Sequence, residues 1–180
     1  MSFDFAVRLT EILLGLAFIQ QSIEHLGASR DEKILFFPRL ILSLALILGF
    51  QTQWISLALV FLGLLILKRF QGPYNGGSDR MSLLILSCLC LTHFTPTQAT
   101  QELVFGYLAL QLVLSYFISG WVKITNPEWR NGQALDDVLR YSAYPASESF
   151  RSFADLPRLV WTLSWAVMLF ELLFPLALIT

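Results

Sequence analysis

The stretch Leu103-Val104-Phe105-Gly106-Tyr107-Leu108-Ala109-Leu110-Gln111-Leu112-Val113-Leu114-Ser115-Tyr116-Phe117-Ile118-Ser119-Gly120-Trp121-Val122 decides the fold. A membrane-crossing helix needs about 20 mostly apolar residues. This run supplies them, with Gln111, Ser115 and Ser119 as its main polar interruptions. Residues 159–179 form a second such run, with Glu171 as its only charge. Four shorter or more polar segments, 5–26, 34–50, 54–67 and 81–94, complete the pattern. None shows the period-2 alternation of a barrel strand. The expectation is an all-α, polytopic transmembrane helical bundle of about six spans, with short interfacial helices, forming a single domain over residues 1–180.

Composition agrees. Hydrophobic residues make up 56% of the 180 and charged residues only 14%, against about 25% charged in an average soluble domain. Mean hydropathy is +0.63. A soluble fold this short leaves too much surface facing water to hide so much apolar side chain, so the bilayer is the expected partner. The net charge of −1 gives no basic excess for nucleic acid. The start of the chain lacks the order of a cleavable leader, since Arg8 and Glu11 open the first apolar stretch and Gln20, Gln21, Glu24 and His25 close it. The first helix is therefore expected to remain in the mature protein.

Lys and Arg alternate between loops. Arg30 and Lys33 fall in the first, Lys68, Arg69 and Arg80 in the third, and Lys123, Arg130, Arg140, Arg151 and Arg158 in the fifth. The second and fourth have none. The positive-inside rule then puts the odd loops in the cytoplasm and both termini outside. Trp54, Trp121, Trp161 and Trp165 near span ends suit interfacial anchoring. Gln51-Thr52-Gln53 is short enough for a helical hairpin. Residues 71–80 are dense in turn formers, with Ser78 or Asp79 placed to cap a helix starting near Met81. The 124–158 loop holds two short amphipathic candidates, Ala134, Leu135, Val138 and Leu139 on one face and Phe150, Phe153 and Leu156 on another, separated by Pro145.

Ionisable residues inside spans are costly and call for a reason. Glu171, about 12 residues into the last span, is expected near mid-membrane. It reads either as a proton-handling carboxylate or as a hydrogen-bonded tie to Gln111, His93 or Arg39. Arg8 and Glu11 form a local i, i+3 pair. The two histidines, His25 and His93, lie at span ends, and no third ligand accompanies them, so no metal site is expected. Cys88 and Cys90, at i, i+2, point to different helix faces and fit neither a redox pair nor zinc. Ser115 and Ser119 allow close helix approach. Lys123 ends a long span, where it either snorkels to the interface or serves as a partly desolvated amine acting as a base.

The run Tyr116 to Lys123, followed by Trp129 and Gly132, resembles the motif of HTTM-domain membrane proteins, the superfamily that includes vitamin K-dependent gamma-glutamyl carboxylase. Asn75-Gly76-Gly77-Ser78-Asp79-Arg80 is similar to the loop that precedes a span in bacterial members. The resemblance implies a bacterial inner membrane location and marks Asn75, Gly76, Gly77, Asp79, Arg80, Tyr116, Gly120, Trp129 and Gly132 as motif positions. It also implies that Lys123 matches the lysine base used in quinone-linked chemistry; in an enzymatic reading, Glu171 or His93 is expected to assist it. Three departures stand against that activity: nothing in this sequence could play the part of the large luminal domain, charge counting puts Lys123 near the cytoplasmic face, and one extra residue separates Lys123 from Trp129 relative to the carboxylase spacing. The leading expectation is a non-enzymatic accessory subunit with membrane-protein partners, requiring no cofactor. The alternative is a membrane-embedded enzyme that uses Lys123 on a lipid-soluble, quinone-like ligand.

Overall fold

In the computed structural model, which describes residues 2–27, 30–69, 77–140 and 151–178, helix α1 (Phe3–Leu26) starts where the Ser2 hydroxyl accepts from Phe5 N. Asp4 in its first turn and His25 in its last complement the helix dipole. Helix α2 (Arg30–Leu48) carries Pro38 internally. It ends at Gly49, whose φ of 76° places it in the left-handed region, followed by Gln51 at φ 44°. These residues turn the chain into α3 (Thr52–Arg69), the hairpin expected at this point. Helix α4 (Gly77–Phe94) stops one residue short of Thr95, which Pro96 disfavours for helix. Helix α5 (Gln98–Thr125) is the longest element, at 28 residues.

The chain forms two compact units, Met1–Ala109 and Leu110–Thr180. In the first, α1 to α4 form a ring of antiparallel neighbours, with α1 also meeting α4. Val7, Leu14, Phe18, Leu46, Leu59, Leu86 and Leu89 make its core. Gly15 lets α1 and α2 approach closely, since a Cβ there would stand 3.2 Å from the Ser43 carbonyl. The surface is inverted relative to a water-soluble bundle: Glu11, Ser22, Arg39, Ser43, Ser56 and Thr92 are buried, while Leu13, Leu16, Ile41, Phe61 and Leu65 are exposed. Charged side chains that face a bundle interior under an apolar exterior are the arrangement lipid demands.

In the second unit, α6 (Pro127–Arg130) and α7 (Gln133–Arg140) pack on α8 (Pro157–Leu173). Asn126 caps α6 by accepting from Glu128 N at 2.9 Å, and Asn131 Oδ1 accepts from Gln133 N at 2.9 Å. A 3₁₀ turn, Ser152–Asp155, precedes α8, and another, Phe174–Leu178, follows it.

All described residues outside turns and connections are helical. Among the described residues, three helices are long and apolar enough to cross a membrane: α3, α5 and Pro157–Leu176. Six spans were expected. Helices α1, α2 and α4 fall short on composition because α1 carries Arg8 and Glu11, α2 opens on Arg30-Asp31-Glu32-Lys33, and α4 opens on Gly77-Ser78-Asp79-Arg80. Two local expectations are corrected. Helix α4 begins at Gly77, so Asp79 lies inside its first turn instead of capping it. Phe153 and Leu156 belong to a 3₁₀ turn and its cap, not to an amphipathic α-helix. Glu171 stands in the last turn of α8, ahead of the 3₁₀ turn that holds Pro175. Asn75, Gly76, the 71–76 turn, Pro145 and Phe150 lie outside the described residues.

Candidate functional site

The motif residues Tyr116, Gly120, Lys123, Trp129 and Gly132 meet in the second unit. Lys123, in the last turn of α5, donates from Nζ to Glu171 Oε1 at 2.5 Å. Both side chains are largely shielded, at 20% and 11% exposure. The ammonium also sits 4.9 Å from the centre of the Trp129 ring, within range of a cation–π attraction. Gly120 supplies the space: a Cβ there would stand 2.9 Å from both Glu171 Cβ and Leu172 N. One turn earlier, Tyr116 packs on Phe170 and Phe174, at ring separations of 6.0 and 4.3 Å.

The α6 and α7 segment is fastened to α8 in the same manner. Ser164, fully buried, donates to the Trp129 carbonyl at 2.6 Å, and Trp165 Nε1 donates to the Arg130 carbonyl at 3.1 Å. Gly132, at φ 88°, lies against the Trp161 backbone, where a Cβ would come within 3.3 Å of Trp161 Cα. Thus Tyr116, Gly120, Lys123, Trp129 and Gly132 all meet α8, and Glu171 is the partner of Lys123. One acceptor is left over: Glu171 Oε2 is buried without a hydrogen-bond partner among the described residues.

The contacts also fix a register. Gly120 and Lys123 meet Glu171, while Tyr116 meets Phe170 and Phe174. Helices α5 and α8 are therefore antiparallel and overlap through their C-terminal turns, and the chain between them runs back along the N-terminal half of α8. Centre-to-centre pairing of two spans in one bilayer would place residue 112 near 168. The observed register is offset from that by about eleven residues, or about 16 Å at 1.5 Å per residue.

His93 belongs to the first unit and has a different partner. Glu11, 2% exposed, accepts from Arg8 Nη1 at 2.6 Å on one oxygen and from His93 Nε2 at 2.6 Å on the other. A carboxylate oxygen only accepts, which assigns the Nε2 proton to His93. Arg8 also donates from Nη1 to the Leu46 carbonyl at 2.8 Å and from Nη2 to the Ile47 carbonyl, closing the C-terminus of α2. At the opposite end of the ring, Arg39 donates to Gln21 Oε1, and Gln21 Nε2 donates to Asp79 Oδ1 at 3.1 Å. The Arg39 guanidinium lies 4.2 Å from the Phe18 ring centre. Asp79 thus ties α4 to α1, and Arg80 is exposed. His25 Nδ1 contacts Glu32 at 2.7 Å, and its ring stacks on Phe36.

Sequence reading missed the link between Glu11 and His93. Its one available signal was that each is an ionisable residue in an apolar helix near the same loop face. Among the described residues, no group of three His, Cys, Asp or Glu is arranged to hold a metal ion. Comparisons with protein-family models, with curated proteins and with solved structures find no match for this chain.

Proposed function

We propose that this chain is a multi-pass membrane protein of the HTTM type in a bacterial inner membrane, acting without catalysis as an accessory subunit of a larger membrane assembly. The observation that carries the reading is the state of Lys123. Its ammonium is committed to Glu171 and covered by Trp129, so the residue that resembles a catalytic base serves as a lock between helices. Assembly with partner helices is supported by α5, which leaves Ser115 exposed beside Tyr116 and Phe117. A hydroxyl facing lipid is better satisfied against another helix.

In this reading α1 to α5 each cross the bilayer once, the N-terminus lies outside, and the odd loops lie in the cytoplasm, following the Lys and Arg alternation. Lys123 and Glu171 share the cytoplasmic interface. Helix α8 lies antiparallel to the end of α5, with Glu171 beside Lys123.

Blue-native electrophoresis after gentle solubilisation is the test. The chain should migrate in a complex well above its 20.5 kDa mass; a monodisperse monomer under every mild condition would refute the accessory role. The enzymatic alternative would require Lys123→Met to abolish function in a folded, normally abundant protein while Lys123→Arg also fails. Full function of both variants would reduce the lysine to an anchor.

A further inference from the structure

The first unit contains an open cavity of about 410 Å³ at the end where α1, α3 and α5 begin and α2 and α4 finish. Its walls combine Phe3 and Val7 with Asp4, Thr52, His93 and Gln101, over buried Glu11 and its half-buried partner Arg8. Its size falls within the range of small-molecule sites.

The walls keep a set of hydrogen-bond acceptors for a ligand. Arg8 commits three of its five N–H donors, to Glu11 and to the Leu46 and Ile47 carbonyls. Thr92 donates to the Cys88 carbonyl at 2.8 Å, and Gln101 Nε2 donates to the Thr95 carbonyl at 2.8 Å. His93 donates from Nε2–H to Glu11. Beside the remaining Arg8 and Gln101 N–H groups, the acceptors are His93 Nδ1 in its neutral Nε2–H tautomer, Gln101 Oε1 and the Asp4 carboxylate, with the Thr52 hydroxyl able to act either way. Charge points the same way, because Arg8 and Glu11 cancel and Asp4 leaves the walls net negative.

A ligand suited to these walls is a cation that donates hydrogen bonds and carries a short apolar tail. We propose that the cavity binds a primary ammonium group. Its three N–H donors face His93 Nδ1, Gln101 Oε1 and Asp4, and its carbon chain lies on Phe3 and Val7, where the aromatic ring also attracts the charge. Glu11 is a positioning residue: by holding Nε2–H it turns the basic lone pair of His93 outward. The proposal does not rest on the accessory role, and the oligomeric state leaves it untouched.

The chain has only two histidines, so its ¹⁵N-histidine spectrum reads this site directly. In phosphatidylcholine discs at neutral pH, n-butylammonium is expected to move the His93 Nδ1 resonance and leave His25 in place. Tetramethylammonium, with the same charge and no N–H, should not move it. Asp4→Asn and Gln101→Leu, both outside the Glu11 triad, should each weaken binding, the former by about tenfold, as expected for loss of a charge-assisted hydrogen bond. If phosphatidylethanolamine discs give the same shift without added amine, the source is a lipid headgroup; if only the free amine does so, it is a small molecule. No response to n-butylammonium, an equal response to both cations, or indifference to Asp4→Asn would overturn the proposal.

Discussion

The two units each bury one carboxylate against a basic partner, and they complete the arrangement differently. In the first, both oxygens of Glu11 are used, one by Arg8 and one by His93, and the triad borders a cavity. In the second, Glu171 has one oxygen on Lys123 and the other without a partner among the described residues, and the pair is enclosed by glycine-enabled helix contact. A fully satisfied buried group can support a polar opening beside it. A half-satisfied one depends on exclusion of water and on close packing. The same chemistry therefore suits a ligand-facing wall in one unit and a structural lock in the other.

The largest expected effect comes from breaking the saturated triad. Glu11→Leu leaves Arg8 and His93 facing an apolar side chain, and removing one member of a buried ionic group typically costs about 3–5 kcal/mol. Unfolding in mixed micelles of rising dodecyl sulfate fraction, followed by tryptophan fluorescence, should show the loss. A midpoint close to that of the parent protein would mean that Glu11 contributes only to the cavity, and the contrast between the units would fail.

Lys123→Met comes next. It leaves Glu171 with neither oxygen paired, at a cost of about 3 kcal/mol. The double variant Lys123→Met/Glu171→Leu should recover most of that loss, since an apolar pair of similar volume often replaces a buried ion pair at little net cost. If the double variant remains as unstable as the single one, the pair contributes more than packing with charge. That outcome would reopen the catalytic reading of Lys123.

These two residues also show how far the sequence could be read. Lys123 and Glu171 stood out because an ionisable residue in an apolar run is conspicuous, but their pairing was not read: Glu171 was expected to reach Gln111, His93 or Arg39, and its partner is Lys123. Helix positions were legible for the same reason, from runs of apolar residues bounded by turns. The bond between Glu11 and His93, 82 residues apart, was not legible: one-dimensional order does not say which ends of α1 and α4 share a layer. Reading Arg8 and Glu11 as a local pair was correct and incomplete, because the arginine also closes the far end of α2. The offset between α5 and α8 was hidden for another reason. It arises because the connecting segment folds back along α8 through Ser164 and Trp165, a tertiary choice that span counting does not see.

Gly120→Ala isolates packing from charge. The added methyl would meet Glu171 Cβ and Leu172 N at 2.9 Å, and the second of these is backbone that cannot rotate away. Overpacking of this kind costs about 1–3 kcal/mol. The same assay should report it, and the Lys123 effect should shrink in the Gly120→Ala background as the two helices separate. Strict additivity would show that the lock does not depend on close approach.

The smallest effect is expected at Arg140, which bonds Asp136 at 2.9 Å, the Ala154 carbonyl at 2.9 Å and Asp155 at 3.3 Å. By number of partners it rivals Arg8. The difference is solvent, since Arg140 and Asp155 are 53% and 70% exposed, and water and salt screen such pairs. The hydrogen bond to Asp136, first, and then its charge raise the Arg140 pKa above the ordinary arginine value. A raised basic pKa gives stability that is present below the unfolded value and lost only as pH climbs through the folded one, far above any working range. Arg140→Ala should therefore leave the unfolding midpoint unchanged from mildly acidic to mildly basic pH, with or without added salt. A loss as large as that of Gly120→Ala would show that the turn around Ser152–Asp155 holds α7 in place through this arginine. Partner number would then outweigh burial, and the distinction drawn between Glu11 and Glu171 would need another cause.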